Sequence, residues 1–192
     1  MLQVKNLFVD LGGFRLTADF EIERGSLISI VGPSGAGKST ILNALAGFIP
    51  LTSGVIKWNG SDITKLDPGL RPLSILFQDY NLFSHLTVKD NIAIGLRPNL
   101  KLDDLETEMV NSVIEEVGLS KFKFIKPFQL SGGQRTRVSL ARSIVRSKPI
   151  LLLDEAFSGL GPALRSEMIK LIKDKSIKEG ITLIMVCLLY TS

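Results

Sequence analysis

The sequence Pro149-Ile150-Leu151-Leu152-Leu153-Asp154-Glu155 joins an apolar run, long enough for one buried strand, to two adjacent carboxylates. Continuous apolar runs of this length are typical of strands covered on both faces, as in a parallel sheet. Such sheets bind ligands beyond the carboxyl ends of their strands, so Asp154 and Glu155 are predicted to lie at a ligand crevice. Neighbouring carboxylates repel, and a phosphate-bound magnesium ion with a water molecule would separate their tasks. Taken alone, the pattern also fits a solvated strand end.

A second informative segment has the order strand, glycine loop, helix. Leu27–Val31 is predicted to be a buried strand, and apolar residues recur at helical spacing after the loop. The loop, Gly32-Pro33-Ser34-Gly35-Ala36-Gly37-Lys38-Ser39-Thr40, fits G-x-x-x-x-G-K-[ST], in which backbone N–H groups and a helix N-terminus face phosphate oxygens. Lys38 is predicted to reach the β- and γ-phosphates, Ser39 to ligate magnesium, and Thr40 to support the α-phosphate. An ordinary glycine turn is the alternative, which the flanking strand and helix disfavour.

Composition limits the class of protein. With 192 residues, 45 % of them hydrophobic and 22 % charged, the chain is predicted to be globular, with one sizeable core and a subdomain. A formal charge of +4 gives no indication of nucleic-acid binding. No run reaches the roughly 18 to 20 apolar residues of a membrane span, and no signal peptide is recognisable, so a cytosolic location is predicted. One cysteine and one histidine exclude an internal disulfide and argue against a histidine-built metal site.

The remaining hydrophobic pattern predicts an α/β fold with a mostly parallel core sheet, an N-terminal antiparallel β subdomain and a helical subdomain inserted at about residues 84–146. Strands are predicted at Leu2–Phe8, Phe14–Ile22, Val55–Trp58, Leu73–Phe77 and Ile181–Val186. Helices are predicted at Thr87–Ile92, Asp103–Val117, Thr136–Val145 and Ala163–Lys175.

A second glycine-rich turn, Leu130-Ser131-Gly132-Gly133-Gln134, precedes one of these helices. Ser131 and Gln134 have the spacing of a capping box, whereas the two glycines are poor helix formers and need another reason. A glycine turn before a helix is a second potential anion site, and two half-sites in one chain suggest a two-chain assembly. Read in isolation, the segment also fits an ordinary loop.

These motifs, in this order, resemble the ATP-binding cassette (ABC) family over nearly all of Leu2–Val186. The resemblance implies an ABC-type P-loop ATPase domain at residues 1–186 that binds ATP and Mg²⁺ and hydrolyses ATP. Asp154 is then expected to hold magnesium through water, and Glu155 to orient or deprotonate the attacking water. Gln78, at the end of a predicted strand, matches the family's glutamine that senses magnesium and water, although a glutamine there is usually only a turn residue.

The resemblance also implies partners. In the family, the turn Ser131–Gln134 caps the γ-phosphate held by a second copy, so two ATP molecules lie in a head-to-tail dimer. A membrane permease subunit is expected to dock near Asn81–Leu86, with a substrate-binding protein in the same system. His85 is at best a surface contact there, and an ordinary exposed histidine is the alternative. The chain is expected at the cytoplasmic face of the inner membrane, without nucleic acid.

Within the family, three segments are similar to the ATPases of bacterial thiamine importers. They are the phosphate loop, Leu76–Gln78 together with Asn81–Val88, and Ala163–Met168. Polyamine, iron and sulfate importers carry closely similar ATPases, and the substrate never touches this subunit. A soluble family member in DNA repair or translation is an alternative, but it usually carries a coiled-coil insert or a second cassette. A non-catalytic regulatory module is a third possibility.

The chain departs from the family pattern at several positions. Gly161 stands where a carboxylate helps to couple the two sites, and Ala156 replaces a usual proline. Leu11 occupies the place of the aromatic residue that stacks on adenine, and Phe14 is a nearby substitute.

The last departure is at residues 187–192, which read Cys187-Leu188-Leu189-Tyr190-Thr191-Ser192. These letters resemble a translated sequencing adapter, so we interpret them as a non-native tail after a gene truncated near Val186. Leu188 stands where the family has its switch histidine. Because leucine cannot hydrogen-bond the γ-phosphate, the chain as written is expected to bind ATP and hydrolyse it poorly.

Overall fold

The computed structural model describes residues 1–77 and 81–188, and only the backbone of residues 187 and 188. The strands are β1 (Leu2–Asp10), β2 (Arg15–Ile22), β3 (Leu27–Gly32), β4 (Ser53–Trp58), β5 (Ser61–Asp62), β6 (Leu73–Leu76), β7 (Ile150–Asp154) and β8 (Thr182–Leu188). The helices are α1 (Lys38–Ala46), α2 (Val88–Ala93), α3 (Asp104–Glu116), α4 (Gly132–Val145) and α5 (Pro162–Glu179). Short 3-10 turns lie at Pro68–Leu70, Ser120–Phe122 and Pro127–Gln129. The predicted α/β class is confirmed.

The first sheet is antiparallel and has the order β2-β1-β4-β5. The predicted hairpin between β1 and β2 is present, and its turn is closed by a hydrogen bond from Leu11 N to Phe14 O of 3.0 Å. Asn59 and Gly60 both have positive φ, 48° and 83°, which is the geometry of a tight hairpin turn between β4 and β5. The predicted antiparallel β portion is therefore present.

The second sheet has the order β3-β8-β7-β6, and β8 pairs in parallel with both β3 and β7. The apolar residues of β7 are between 0 % and 5 % exposed, which confirms a strand covered on both faces. The prediction that β3 is equally buried is wrong, because Leu27 is 37 % and Val31 57 % exposed. The physical reason is that β3 is the last strand in the order, with a hydrogen-bonded neighbour on one side only.

The chain divides into two compact units. The first contains residues 1–75, 149–155 and 173–188 of the described chain. Its core gathers buried residues of both sheets and of α1, among them Val4, Leu42, Ile56, Leu152 and Ile184. The helix that follows the glycine loop is therefore anchored on the same core as β7.

The second unit contains the described residues of 76–148 and 156–172. Here α2, α3 and α4 pack against one another. Gly95 permits a close approach, since a Cβ there would lie 2.7 Å from the carbonyl oxygen of Arg142 on α4. Within residues 1–77 and 81–188, no helix combines the length and the apolar character that crossing a bilayer requires.

Candidate functional site

The glycine loop has the backbone geometry of an anion cradle. Gly35 and Gly37 have positive φ, 77° and 90°, and Gly37 is the N-cap of α1, where no side chain caps the helix. A Cβ on Gly37 would also come within 2.7 Å of the ring of Phe14, so glycine is required there for two reasons. The first backbone N–H groups of α1 therefore have no side-chain acceptor from the N-cap, as an anion site needs.

Lys38 lies folded over this loop. Its side chain is buried, and Nζ donates to the carbonyl oxygens of Gly32 (3.0 Å) and Pro33 (2.8 Å). These contacts use two of the three ammonium donors. The positive charge is thus positioned at the loop itself, where phosphate oxygens would take the place of carbonyl oxygens. The predicted ligand residues from Pro33 to Ala36 are exposed, and Thr40 is half-buried in the first turn of α1.

The loop and the end of β7 meet at one contact. Ser39 Oγ donates a hydrogen bond of 2.7 Å to Asp154 Oδ1, across 115 positions of sequence. A hydroxyl and a carboxylate oxygen so close together form a hard-oxygen donor pair, which is the type that Mg²⁺ prefers. The structure therefore brings together Ser39, next to Lys38 in the chain, and Asp154, which the sequence predicted from two separate motifs.

Glu155 has an unusual backbone. Its φ is 48°, in the left-handed region that non-glycine residues seldom adopt, and it directly follows the last residue of β7. This conformation costs on the order of 1 kcal/mol, and such strain is concentrated at functional sites. The side chain is half-buried, at the edge where the sequence predicted chemistry.

The second glycine-rich turn begins α4. Gln134 N donates to Ser131 Oγ (3.3 Å) and Ser131 N donates to Gln134 Oε1 (2.8 Å), so the predicted capping box is confirmed. The predicted helix start at Thr136 is wrong, because α4 already begins at Gly132. The capping box satisfies the helix end and outweighs the low helix propensity of two glycines.

The two glycines of this turn differ in their surroundings. A Cβ on Gly133 would lie 2.3 Å from Leu164 Cδ2, so packing within the second unit explains this glycine. A Cβ on Gly132 would have no atom of the described residues within 4 Å. Gly132 is therefore not required by the packing of the described chain, and a molecule outside it has room to approach the backbone.

The segment proposed for docking is well ordered by side chains. Asn91 is fully buried; its Oδ1 accepts from Phe83 N (2.8 Å), and its Nδ2 donates to the carbonyl oxygens of Phe83, Leu86 and Thr87 (3.0, 3.2 and 3.0 Å). Phe83 is exposed and packs edge-to-face with His85, their centroids 6.0 Å apart. The segment thus displays an aromatic residue, as the docking prediction requires, while Gln78 lies outside the described residues.

Sequence reasoning missed Arg71. This buried guanidinium donates to the carbonyl oxygens of Ala44 (2.9 Å) and Leu45 (2.6 Å) at the end of α1, and to those of Thr64 and Leu66. Burial lowers the pKa of Arg71. No motif signals this role, because all the partners are backbone carbonyls and the two on α1 lie 26 and 27 residues away in sequence. Arg71 holds the helix that carries Lys38 and Ser39.

Comparisons with known proteins agree with this geometry. The family model described as ABC transporter matches residues 17–158. Among curated relatives, the thiamine import ATP-binding protein ThiQ of Ruegeria sp. (strain TM1040) is 47 % identical over 186 residues, 97 % of this chain and 80 % of the relative. ThiQ of Vibrio vulnificus (strain YJ016) is 51 % identical over 168 residues (88 % and 72 %), and ThiQ of Histophilus somni (strain 129Pt) 50 % over 186 residues (97 % and 86 %).

A solved structure gives the same result for the fold. It is a dimeric ATP-binding cassette in a post-hydrolysis state bound to ADP and Pi, with a TM-score of 0.82 and 27 % identity over 97 % of this chain and 87 % of that one. The resemblance noted in the sequence is thereby confirmed, together with the ABC-type P-loop fold. The chain belongs to the ABC transporter family.

Proposed function

We propose that this chain is the ATP-binding and ATP-hydrolysing subunit of a bacterial importer, with thiamine as the cargo of the complete system. The observation that carries the proposal is the hydrogen bond between Ser39, which follows Lys38 at the glycine loop, and Asp154 at the end of β7. The cargo assignment is supported by relatives of about half identity that are named thiamine import ATP-binding proteins. Because cargo does not touch this subunit, the assignment depends on those relatives and not on a pocket.

Nucleotide binding follows from the loop. Backbone N–H groups from Gly32 to Thr40 and the positive end of α1 would surround the β-phosphate, and Lys38 would exchange its two carbonyl partners for phosphate oxygens. Phe14, whose ring lies against Gly37, is the aromatic residue placed to contact the base. The loop therefore provides charge and hydrogen bonds, and Phe14 of the β1–β2 turn provides a stacking surface beside it.

Magnesium fits the donor set at this loop. Ser39 Oγ and Asp154 Oδ1, 2.7 Å apart, would hold the ion, Asp154 through water, and Gln78 is the third proposed contact. When bound, the ion would neutralise charge on the phosphate oxygens. The hydrogen bond between Ser39 and Asp154 positions both oxygens in advance.

Glu155 is the proposed catalytic carboxylate. A carboxylate next to the γ-phosphate can orient a water molecule and accept its proton as the water attacks phosphorus. The left-handed backbone at Glu155 turns the chain away from the direction of β7 at this residue. Lys38 would stabilise the negative charge on the transferred phosphoryl group.

Dimerisation would complete the site. We place Ser131, Gly132, Gly133 and Gln134 of one copy over the γ-phosphate bound by the other, as in a head-to-tail dimer. The space around Gly132 and the N-terminus of α4 support this placement. Loss of the γ-phosphate would remove the contact and reopen the dimer.

The closing and reopening of the dimer would be transmitted to a membrane permease at the cytoplasmic face of the membrane. The segment Asn81–Leu86, held by Asn91, is the proposed docking surface. It lies partly in the proposed helical subdomain at about residues 84–146 of an ATPase domain at 1–186. A substrate-binding protein would belong to the same system.

Uptake of labelled thiamine tests the cargo. The gene is expressed together with the genes of a thiamine permease and its substrate-binding protein in cells that lack thiamine uptake, and a Glu155→Gln variant is the control. The proposal predicts thiamine accumulation with a Leu188→His chain, in which the family's switch histidine is restored, and none when Glu155→Gln is added to it. Accumulation of a polyamine, iron or sulfate instead would contradict the cargo and leave the ATPase assignment intact.

A further inference from the structure

A basic aromatic segment, defined as Ser120–Gln129 with the sequence SKFKFIKPFQ, is exposed on the second unit. Phe124 is 73 % exposed and Phe128 is 70 % exposed, which is unusual for phenylalanine. The segment contains three lysines and no carboxylate. The nearest preceding acids along the chain are Glu115 and Glu116, at the end of α3.

The segment is held in a fixed shape. Two 3-10 turns, Ser120–Phe122 and Pro127–Gln129, form its ends, and buried Pro127 anchors it. Backbone hydrogen bonds of 2.9 Å from Val88 N to Ile125 O and from Lys89 N to Lys123 O fasten its centre to the start of α2. The exposed rings are therefore displayed by an ordered backbone.

The lysines lie close to the rings. Lys123 Nζ is 5.5 Å from the centroid of Phe124, which is a cation–π distance. Phe124 and Phe128 are four residues apart, so their Cα atoms are separated by at most about 14 Å. Lys121 and Lys126 are exposed between or beside them. One short surface thus combines apolar rings with ammonium groups.

The composition of this surface favours one kind of partner. Protein interfaces are enriched in aromatic residues, Phe included, and in Arg, but they are depleted in Lys, of which this segment has three. Recognition of nucleic-acid phosphates and bases makes frequent use of Arg, which is absent here. Aromatic rings at headgroup depth with flanking lysines are instead typical of surfaces that contact anionic lipid.

We propose that the basic aromatic segment binds the surface of an anionic phospholipid bilayer. Phe124 and Phe128 would enter the headgroup region, and the ammonium groups of Lys121, Lys123 and Lys126 would pair with lipid phosphates. Each lysine near the surface contributes roughly fivefold in affinity, and each buried ring about tenfold. The contact would orient the subunit at the membrane independently of nucleotide or permease.

Co-sedimentation of the purified chain with lipid vesicles tests this inference. Vesicles of phosphatidylcholine are compared with vesicles of a phosphatidylcholine and phosphatidylglycerol mixture, without nucleotide. Binding is expected only to the anionic vesicles, and it is expected to fall by more than tenfold in high salt. The absence of nucleotide and permease keeps this outcome separate from the test of the proposed function.

Matched variants identify the surface. Phe124→Ala with Phe128→Ala is expected to weaken binding on the order of a hundredfold, whereas Leu105→Ala with Ile177→Ala, which removes side chains that are 73 % and 69 % exposed elsewhere, is expected to leave it unchanged. To test the contribution of charge, Lys121, Lys123 and Lys126 are changed together to glutamine. The control for this triple variant changes three other exposed lysines to glutamine, namely Lys57, Lys65 and Lys101.

Four outcomes would overturn the inference. The first is equal binding to neutral and anionic vesicles, and the second is an equal loss in the segment variants and their controls. The third is binding that appears only when the vesicles contain the permease, which would make the segment a protein contact. Binding of single-stranded RNA in place of vesicles would also contradict it.

Discussion

Lys38 is the residue on which nucleotide affinity depends most directly. We predict that Lys38→Ala weakens ATP binding on the order of a hundredfold, because charge-assisted hydrogen bonds to phosphate are each among the stronger kinds. Isothermal titration calorimetry with ATP and Mg²⁺ measures this change. Lys65→Ala removes an exposed lysine elsewhere and serves as the control, with unchanged affinity expected. Equal ATP affinity of Lys38→Ala and the natural chain would refute the role of the loop.

The adjacent glycines of α4 are predicted to respond with opposite sign. Gly132→Ala has open space and gains helix propensity, so it is expected to raise the free energy of unfolding by up to about 1 kcal/mol. In Gly133→Ala the new Cβ would clash with Leu164. The overpacking is expected to cost about 1 to 3 kcal/mol, which exceeds the gain in helix propensity, so the free energy of unfolding falls. Urea unfolding distinguishes the two variants.

A second substitution tests the cause. If the collision with Leu164 is the reason, Leu164→Ala in the Gly133→Ala background should be less destabilising than Leu164→Ala alone. Additive effects of the two substitutions would show that the contact is not the cause.

The Gly132→Ala variant separates folding from assembly. If it is more stable but its ATP-dependent association is weaker, glycine is required at position 132 for the assembly and not for the fold.

Among the secondary-structure elements, α1 is stabilised in a different way at each of its two ends. The start relies on Gly37, and the end relies on two hydrogen bonds from Arg71, which donates two more to the carbonyl oxygens of Thr64 and Leu66. We predict that Arg71→Met lowers the free energy of unfolding by about 3 to 5 kcal/mol, because buried carbonyl oxygens lose their donors. Guanidinium unfolding measures this. Arg15→Met, at an exposed ion pair, is the control and is expected to cost under about 1 kcal/mol.

The docking segment before α2 depends on Asn91. Asn91→Ala removes four hydrogen bonds from a fully buried position and is predicted to cost about 2 to 4 kcal/mol. Asn99→Ala, at an exposed position with one hydrogen bond, is expected to cost under about 1 kcal/mol. Thermal unfolding of both variants gives the comparison. Similar melting temperatures for the two would show that the segment is held by other contacts.

Helices and strands were predicted correctly from the sequence where the hydrophobic period and the length of the segment indicate the same type of element. The β7 run and the strand, loop and helix around Lys38 are local signals, so their chemistry was readable before the structure. The exposure of β3 could not be predicted, because an apolar strand can have the same sequence at the edge of a sheet as in its centre. Likewise, the early start of α4 depends on a capping box that outweighs the propensity of Gly132 and Gly133.

Contacts distant in sequence were the hardest to predict. Arg71 has carbonyl partners on α1 and on the loop that contains Thr64 and Leu66, which no pattern of residue types encodes. By contrast, the meeting of Ser39 and Asp154 follows from topology, because both lie at the carboxyl edge of one parallel sheet. Sheet topology therefore predicted the contact of Ser39 with Asp154, whereas it did not predict the hydrogen bonds by which Arg71 holds α1.

In the whole molecule, we infer that ATP joins two copies, since Lys38 of one copy and Ser131 of the other would contact the same nucleotide. Glu155→Gln removes the proposed base while it leaves both turns intact, so it should preserve the ATP-bound assembly. ATP would then stabilise the dimer in proportion to its occupancy. Without nucleotide, nothing in the proposal holds the copies together.

Sedimentation equilibrium of Glu155→Gln tests this claim most directly. With saturating ATP and Mg²⁺ the account predicts a species of twice the 21.0 kDa chain mass, and the single-chain mass with ADP or without nucleotide. Adding Ser131→Arg, which places a large cation in the turn, should return the ATP sample to the single-chain mass. A single-chain mass for Glu155→Gln at ATP concentrations where calorimetry shows the site to be filled would contradict the account.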